Sequence, residues 1–447
     1  MFVKGEYWSE TLPGDRETAI AQATPKSAEA LVPTPRGKRL PELDILRGFA
    51  VLGIFVMNII GFSMPIGAYY NPAIAGGIEG ADLVAFYLQD AFFDGRMRAI
   101  FCLLFGAGLA LFIDRAMQHG TEGLRKVHQR YLWLVVFGLA HTFLLQMPGD
   151  ILFEYGLVAL LIWSAVGEAP RRLFSVGVIL ITVVACLGLM DELSIARQDA
   201  QKMEIQSRVT AGLEVSDEER TALDEWAEDH PAVRLESEQA EAQSTIESMQ
   251  AARTWIATWF QLSEHMVDAV TISPDSTHFL SVAGTMLIGV ALFRWGFLTA
   301  GWSTRSYVAF ILVGLLAAFA THMITRAWAE TGFGYGNYNL DALWAFSYEP
   351  FRILVAMGWI SALLLLTRAF VDVGPLRWLA QTGRMALTIY LLQTFIATVL
   401  FYAWGFGLFG QLGRFQVLCV ATGIMAMLVI FANLWLSRFR QGPMEAL

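Results

Sequence analysis

Long apolar segments recur along the whole chain, and the loops between them are alternately rich and poor in Lys and Arg. That pattern admits few folds. A helix needs about 20 apolar residues to cross the hydrocarbon of a bilayer. Segments near 43–62, 97–113, 131–147, 150–167, 173–190, 278–298, 307–325, 351–370, 385–404 and 414–436 meet or approach that length. In lipid the backbone must satisfy its own polar groups, and these runs lack the period-two alternation of barrel strands, so helices are predicted. The expectation is an all-α, polytopic integral membrane helix bundle with about ten transmembrane helices. Composition agrees: 55% of residues are hydrophobic and 16% charged, with a mean hydropathy of +0.50, which excludes an ordinary soluble globular enzyme. No nucleic-acid partner is expected.

Basic residues in short loops mark the cytoplasmic side. Arg36, Lys38 and Arg39 precede the first segment, and Arg115, Arg125, Lys126 and Arg130 separate the second and third. Arg171, Arg172, Arg294, Arg305, Arg368, Arg377, Arg384, Arg438 and Arg440 fall on the same side. An even number of spans then puts both termini in the cytoplasm. The formal charge of −9 is uneven, because residues 191–250 alone carry 16 Asp or Glu against 5 Lys or Arg, and that excess falls outside.

The expected organisation has four parts. Residues 1–39 form a disordered cytoplasmic tail without the apolar core of a cleaved signal. Residues 40–190 are a first membrane half, 191–275 an acidic extracytoplasmic insert, and 276–447 a second membrane half. The insert is rich in Glu, Gln, Ala and Arg, which favours helices. It reads as a solvated acidic cap or, more sharply, as a cover over an outward-facing pocket. Cys102, Cys186 and Cys419 each fall inside an apolar segment, which suits packing and supplies neither a disulfide framework nor a metal-ligand spacing.

Polar groups inside spans are expensive and therefore mark candidate sites. Asp44 and Arg47 begin the first span, and Asn58 lies near its far end on almost the same azimuth as Arg47. Asp44 and Arg47 at i and i+3 also suit a simple pair. His141 lies about three turns beyond Arg130. The turn after it carries Asp150, with Glu154 one helical turn further on the same face. A histidine beside a carboxylate is the minimal general-base set, although His141 also suits a bond between helices and Asp150 a helix N-cap. Tyr390 and Gln393, at i and i+3, read either as a substrate-lining pair or as polar contacts between helices. His278, Asn433, Glu264 and His265 are weaker candidates. No phosphate-loop, dinucleotide or zincin motif is present.

The segments PELDILRGFAVLGIFVMN (Pro41 to Asn58), GFSMPIGAYYNP, FCLLFGAGLALF, HTFLLQMPGDILFEYGLV, GTMLIGVALFR, GRMALTIYLLQT and FRQGP resemble the bacterial YeiB-like family with its C-terminal domain of unknown function. The resemblance covers about residues 40–443, leaving the insert between 192 and 275 outside it. The first half is also similar to transmembrane acyltransferases, among them heparan glucosaminide N-acetyltransferase and the polysaccharide O-acyltransferases, through LD-x-LRG at the start of the first helix. That similarity implies transfer of an acyl group from cytoplasmic acyl-CoA to an extracytoplasmic small-molecule or glycan acceptor, and a homodimer among membrane lipids. The match departs at the reactive histidine. The O-acyltransferases carry it further along the first helix, where this chain has Asn58; the N-acetyltransferase branch carries it in the following loop, where this chain has Tyr69, Tyr70 and Asn71. An Asn cannot take a proton at neutral pH. The resemblance therefore implies His141 as base with Asp150 behind it, and Asn58 polarising the thioester carbonyl. Arg47, Arg125 and Lys126 would hold the CoA phosphates, and Glu154, Tyr390 and Gln393 would line the acceptor path. A carrier with the same polar stripe, and a non-catalytic lipid-binding protein, stand beside the enzyme reading.

Overall fold

The computed structural model describes residues 40–118, 120–147, 149–228, 230–271, 277–370 and 373–446. The expected tail over 1–39, with Arg36, Lys38 and Arg39, lies outside the described residues, as does Pro148 of the PGD turn. Among the described residues the secondary structure is helical, with no strand. The chain is thus a multi-pass membrane helix bundle.

The first helix, α1 (Pro41–Ser63), starts on a proline with Glu42 and Asp44 in its first turn, a sequence suited to a helix N-terminus. A four-residue turn, α2 (Gly67–Tyr70), leads to α3 (Gly80–Phe92) and α4 (Arg96–Met117). Hydropathy does not single out α3, which carries Asp82, Gln89 and Asp90 among its apolar residues. Next come α5 (Gly120–Leu144) and α6 (Ile151–Ile162), then α7 (Pro170–Thr210), a 41-residue helix that runs out of the apolar bundle into the insert. The rest of the insert is α8 (Asp217–Glu228), α9 (Pro231–Ala251) and α10 (Trp255–Val270). The second half comprises α11 (His278–Arg294), α12 (Thr304–Ala329), α13 (Tyr338–Phe370), α14 (Gly374–Arg384), α15 (Ala386–Phe401) and α16 (Arg414–Arg438).

Each of the ten apolar segments falls on or largely within one of these helices. By length and apolarity, however, six described helical stretches can cross a membrane, or seven if the broken pair α14 and α15, bent by 84° at Met385, counts as one. The helices Ile151–Gly167 and His278–Arg294 are apolar but shorter, and α5 carries Arg125, Lys126 and Arg130 in its first half.

The apolar stretch of α1 is 72% buried, against 28% for those of α7, α12 and α16. So α1 is the inner helix, in contact with α4, α14, α15 and α16, while α7, α12 and α16 present apolar faces outward. Glycine makes the closest approach: a Cβ on Gly48 would lie 2.0 Å from the Leu379 carbonyl oxygen, and one on Gly383 only 1.8 Å from that of Asp44. Small residues let helix backbones meet in this way. The LRG and GRM segments, far apart in sequence, touch here.

Candidate functional site

The structure brings His141, Asp150 and Tyr390 together from three helices. His141 Nδ1 lies 2.6 Å from Asp150 Oδ1, and the Tyr390 hydroxyl lies 3.4 Å from the same oxygen. The other carboxylate oxygen, Oδ2, accepts the Phe153 N–H at 2.8 Å and caps α6. Capping and bonding to His141 are thus compatible roles for Asp150. On the far side of the ring, His141 Nε2 lies 2.9 Å from Thr394 Oγ1. With the carboxylate ionised and the ring neutral, Nδ1 carries the hydrogen and Nε2 is left to accept from the Thr394 hydroxyl. His141 and Thr394 are each about 1% exposed, and the Tyr390 ring packs edge-on against the imidazole at 4.8 Å. Sequence reasoning missed Thr394, because a helical threonine commonly bonds its own backbone one turn back and so gives no signal.

Glu154 belongs to a second cluster. One turn beyond Asp150, about 6 Å along the axis, its Oε2 lies 3.0 Å from His278 Nε2, and the same nitrogen is 3.2 Å from Arg98 Nη1. One nitrogen cannot donate to the carboxylate and accept from the guanidinium at once, so the position of the hydrogen on the His278 ring decides which bond forms. Nearby on α13, Glu349 Oε2 accepts from Arg352 Nε at 2.9 Å and from Ser281 at 2.8 Å. Arg96 reaches Asp94 at 3.7 Å and Thr321 at 3.1 Å. Gly95, at φ +64, lies between these groups; a Cβ there would sit 2.5 Å from the Tyr348 hydroxyl. Arg96, Arg98, Glu349 and Arg352 stand beside or inside apolar runs, so the rule that found His141 could have found them too.

The remaining predicted residues stand apart from the His141 cluster. Arg47 pairs with Asp44 at 3.0 Å and extends towards Gly108 on α4. Arg125 is on the exposed face of α5, and Lys126 pairs with Glu122 at 3.1 Å. Gln393 donates to the Val51 carbonyl at 3.1 Å, which ties α15 to α1. Asn58 is half-buried on α1. Cys102 is buried, while Cys186 and Cys419 are exposed.

A cavity of about 540 Å³ opens where the insert meets the bundle. Its walls include Met57 at the end of α1 and Tyr69, Tyr70 and Asn71 in the turn that follows. Asp90, Asp94 and Gln89 come from α3 and its C-terminal end, Glu192, Asp199 and Lys202 from α7, and Trp226 and Arg234 from α8 and α9. Tyr335, Tyr338, Asp341 and Trp344 come from α13 and the segment before it. The insert therefore supplies part of the cavity wall. It is fastened by hydrogen bonds from Tyr338 to Asp199, from Tyr335 to Glu238, and from Gln239 to the Ala73 carbonyl at 2.7 Å. Burial, together with its bond to Glu238, pushes the Tyr335 hydroxyl up to about 12. Asn71 donates to the Phe333 carbonyl at 3.1 Å and so holds the turn against the second half. A partly enclosed cavity of this size with aromatic walls and a few polar groups is suited to a small molecule.

Residues 292–447 match the family described as "Protein of unknown function (DUF418)". Over 421 residues the chain is 31% identical to the uncharacterized protein YeiB of Escherichia coli (strain K12), covering 90% of this chain and 93% of that protein. It is 24% identical over 430 residues to the uncharacterized protein YxaH of Bacillus subtilis (strain 168), covering 93% and 94%. A shorter stretch of 129 residues is 38% identical to an uncharacterized 39.9 kDa protein in the amylase 3' region of Bacillus acidopullulyticus.

Proposed function

Since the chain belongs to the YeiB-like family, we propose that this membrane protein transfers an acyl group from cytoplasmic acyl-CoA to a small acceptor held in the cavity at the extracytoplasmic end. The observation that carries the reading is where that cavity lies. Its wall is the Tyr69–Tyr70–Asn71 turn directly after the helix bearing LD-x-LRG, the region in which similar acyltransferases have their reactive histidine. Here the base is His141, with Asp150 holding the proton on Nδ1 so that Nε2 is free to accept one. His141, Asp150, Thr394 and Tyr390 lie outside the lining of the cavity, so the acceptor hydroxyl must pass beyond that wall to replace the hydroxyl of Thr394 at Nε2. Arg47 binds a CoA phosphate in competition with Asp44, assisted by Arg125 and Lys126, and Asn58 orients the thioester carbonyl. Glu154, Tyr390 and Gln393 support the path between the two ends. In this reading the protein sits in a bacterial inner membrane with both termini cytoplasmic and dimerises with a second copy.

Transport is the second reading, and the 84° break between α14 and α15 favours it, because discontinuous helices are a common feature of carriers. Detergent-purified protein titrated with acetyl-CoA and longer acyl-CoAs separates the two. The enzyme reading expects saturable binding, weakened ~tenfold or more by Arg47→Ala as a charge-assisted phosphate contact is lost, and acceptor-dependent release of free CoA thiol. Absence of donor binding up to millimolar concentration, with saturable solute uptake into proteoliposomes, would overturn it in favour of the carrier.

A further inference from the structure

The lining of the cavity is chemically uneven, and the unevenness names a class of ligand. Resting on the acceptor reading above, we propose that the acceptor is an amino alcohol or amino sugar whose ammonium group anchors it and whose hydroxyl, rather than its nitrogen, receives the acyl group. Five carboxylates line the cavity, Asp90, Asp94, Glu192, Asp199 and Asp341, against three cations, Lys202, Arg234 and Arg414. Of these, Arg234 and Arg414 have partners of their own, although Arg234 also faces Glu192 and Asp341 electrostatically. Arg234 Nε lies 3.1 Å from Glu238, and its guanidinium lies 4.4 Å from the centre of the Tyr335 ring. Arg414 is fully buried and donates to neutral groups, Gln89 Oε1 at 3.0 Å and the Ala68 carbonyl. Of the carboxylates, Asp94 has Arg96 at 3.7 Å. Asp90 is held by the Thr325 hydroxyl at 2.6 Å, and Asp199 by Trp226 Nε1 at 3.0 Å and by Tyr338, all neutral donors. Carboxylates gathered out of water and held by neutral donors favour an added cation.

Two further observations point the same way. Tyr69, Tyr70, Tyr335, Trp226, Trp328 and Trp344 line the same space, and aromatic faces attract an ammonium group. Arg414 Nε, buried in the wall, has no hydrogen-bond partner among the described residues. It needs an oxygen acceptor, which an ammonium group cannot supply and a hydroxyl can. The lining thus suits a ligand that carries both groups.

The carboxylates also decide which group reacts. An amine among them keeps its proton, since nearby negative charge favours the cationic form, and a protonated nitrogen has no lone pair for attack. The hydroxyl oxygen attacks the thioester carbonyl carbon instead and forms the C–O bond while its proton passes to His141, which the acceptor must reach beyond the cavity lining. The C–S bond then breaks, and the proton goes on to the CoA thiolate, leaving an ester and a free thiol.

The test is a set of ligand-observed saturation-transfer NMR titrations of the full protein in detergent with two matched pairs, glucosamine against glucose and ethanolamine against ethylene glycol. The amine of each pair should bind ~tenfold or more tightly than its neutral partner, the size of one charge-assisted contact. Asp341→Asn and Glu192→Gln should each remove much of that preference without weakening the neutral ligands. Lys202→Ala should strengthen amine binding, a gain that misfolding cannot imitate. Equal binding of amine and neutral partners would overturn the ammonium anchor while leaving the acceptor cavity intact, whereas binding of none of the four would overturn both. When radiolabelled acyl-CoA is turned over with the bound amine, the product should be cleaved by neutral hydroxylamine, as an ester is. A resistant amide would overturn the assignment to the hydroxyl.

Discussion

Asp150→Asn separates a catalytic from a purely structural His141 more cleanly than deleting the histidine does. The carboxylate has two tasks, capping Phe153 N–H at 2.8 Å through Oδ2 and accepting from His141 Nδ1 at 2.6 Å through Oδ1. Asparagine is as good an N-cap as aspartate, so its oxygen keeps the helix start and its NH2 turns to the imidazole. Nδ1 must then accept instead of donate. The ring changes tautomer, and Nε2 becomes a donor facing Thr394 Oγ1 at 2.9 Å. The fold loses one charge-assisted hydrogen bond, roughly 1.5–3 kcal/mol, and keeps its cap and packing. Catalysis loses its base, which is worth about 10²–10⁴ in rate. Thiol release from acyl-CoA, measured with saturating acceptor on variant protein that still elutes as a single folded species, should fall by that factor with little change in donor affinity. Turnover within about twofold of wild type would refute a base role for His141, because no neutral imidazole in the flipped tautomer accepts a proton at Nε2.

Gly383→Ala should lower the melting temperature in detergent, since its Cβ would lie 1.8 Å from the Asp44 carbonyl oxygen and must push α14 off α1, an overpacking cost of about 1–3 kcal/mol or more; Gly423→Ala, with nothing within 4 Å, should melt at or slightly above wild type. Equal melting of the two variants would contradict the close approach of the helices. Glu349→Gln leaves the buried Arg352 guanidinium without its anion, at a cost of about 3–5 kcal/mol, and adding Arg352→Met to it should recover much of the loss in chemical denaturation. The Tyr335 hydroxyl, raised from 10.0 to about 12 by burial and by Glu238, ties the insert to the bundle while it is protonated. A folded-state value above the unfolded one means that the contact is complete below pH 10 and fades as pH climbs towards 12. Protease cleavage within the insert should accelerate over that window in wild type and be insensitive to it in Tyr335→Phe.

Hydropathy located the bundle because lipid imposes the same demand on every span, yet it says less about how many there are. The helix Ile151–Ile162 is short, and α5 begins on charged turns, so an apolar run of suitable length need not be a full crossing. The converse holds for α3. Gln89 bonds both the Val56 carbonyl and Arg414, and a helix whose polar groups find partners inside the protein does not need an apolar surface all round. The mid-membrane azimuth argument fared similarly. It put Asp150 and Glu154 on one face, but Asp150 is the extended N-cap before the helix, and Glu154 pairs with His278 at 3.0 Å rather than joining His141.

The site was legible where chemistry is local and illegible where it depends on distant segments meeting. His141 and Asp150 are nine residues apart across one hairpin. The cavity, by contrast, takes its walls from α1, α3, the insert, α12, α13 and the first residue of α16, and no spacing rule joins those. Its construction also divides labour along the chain. The segments that carry the family resemblance, HTFLLQMPGD and GRMALTIYLLQT, meet at His141, Asp150, Tyr390 and Thr394. Glu192, Asp199, Lys202, Trp226 and Arg234 come instead from the insert, which the matches to YeiB and YxaH, covering 90% and 93% of the chain, include at least in part, against the expectation that it aligns with nothing. Under the proposed function, the helices that meet at His141 carry the base, while the insert supplies part of the wall that meets the acceptor.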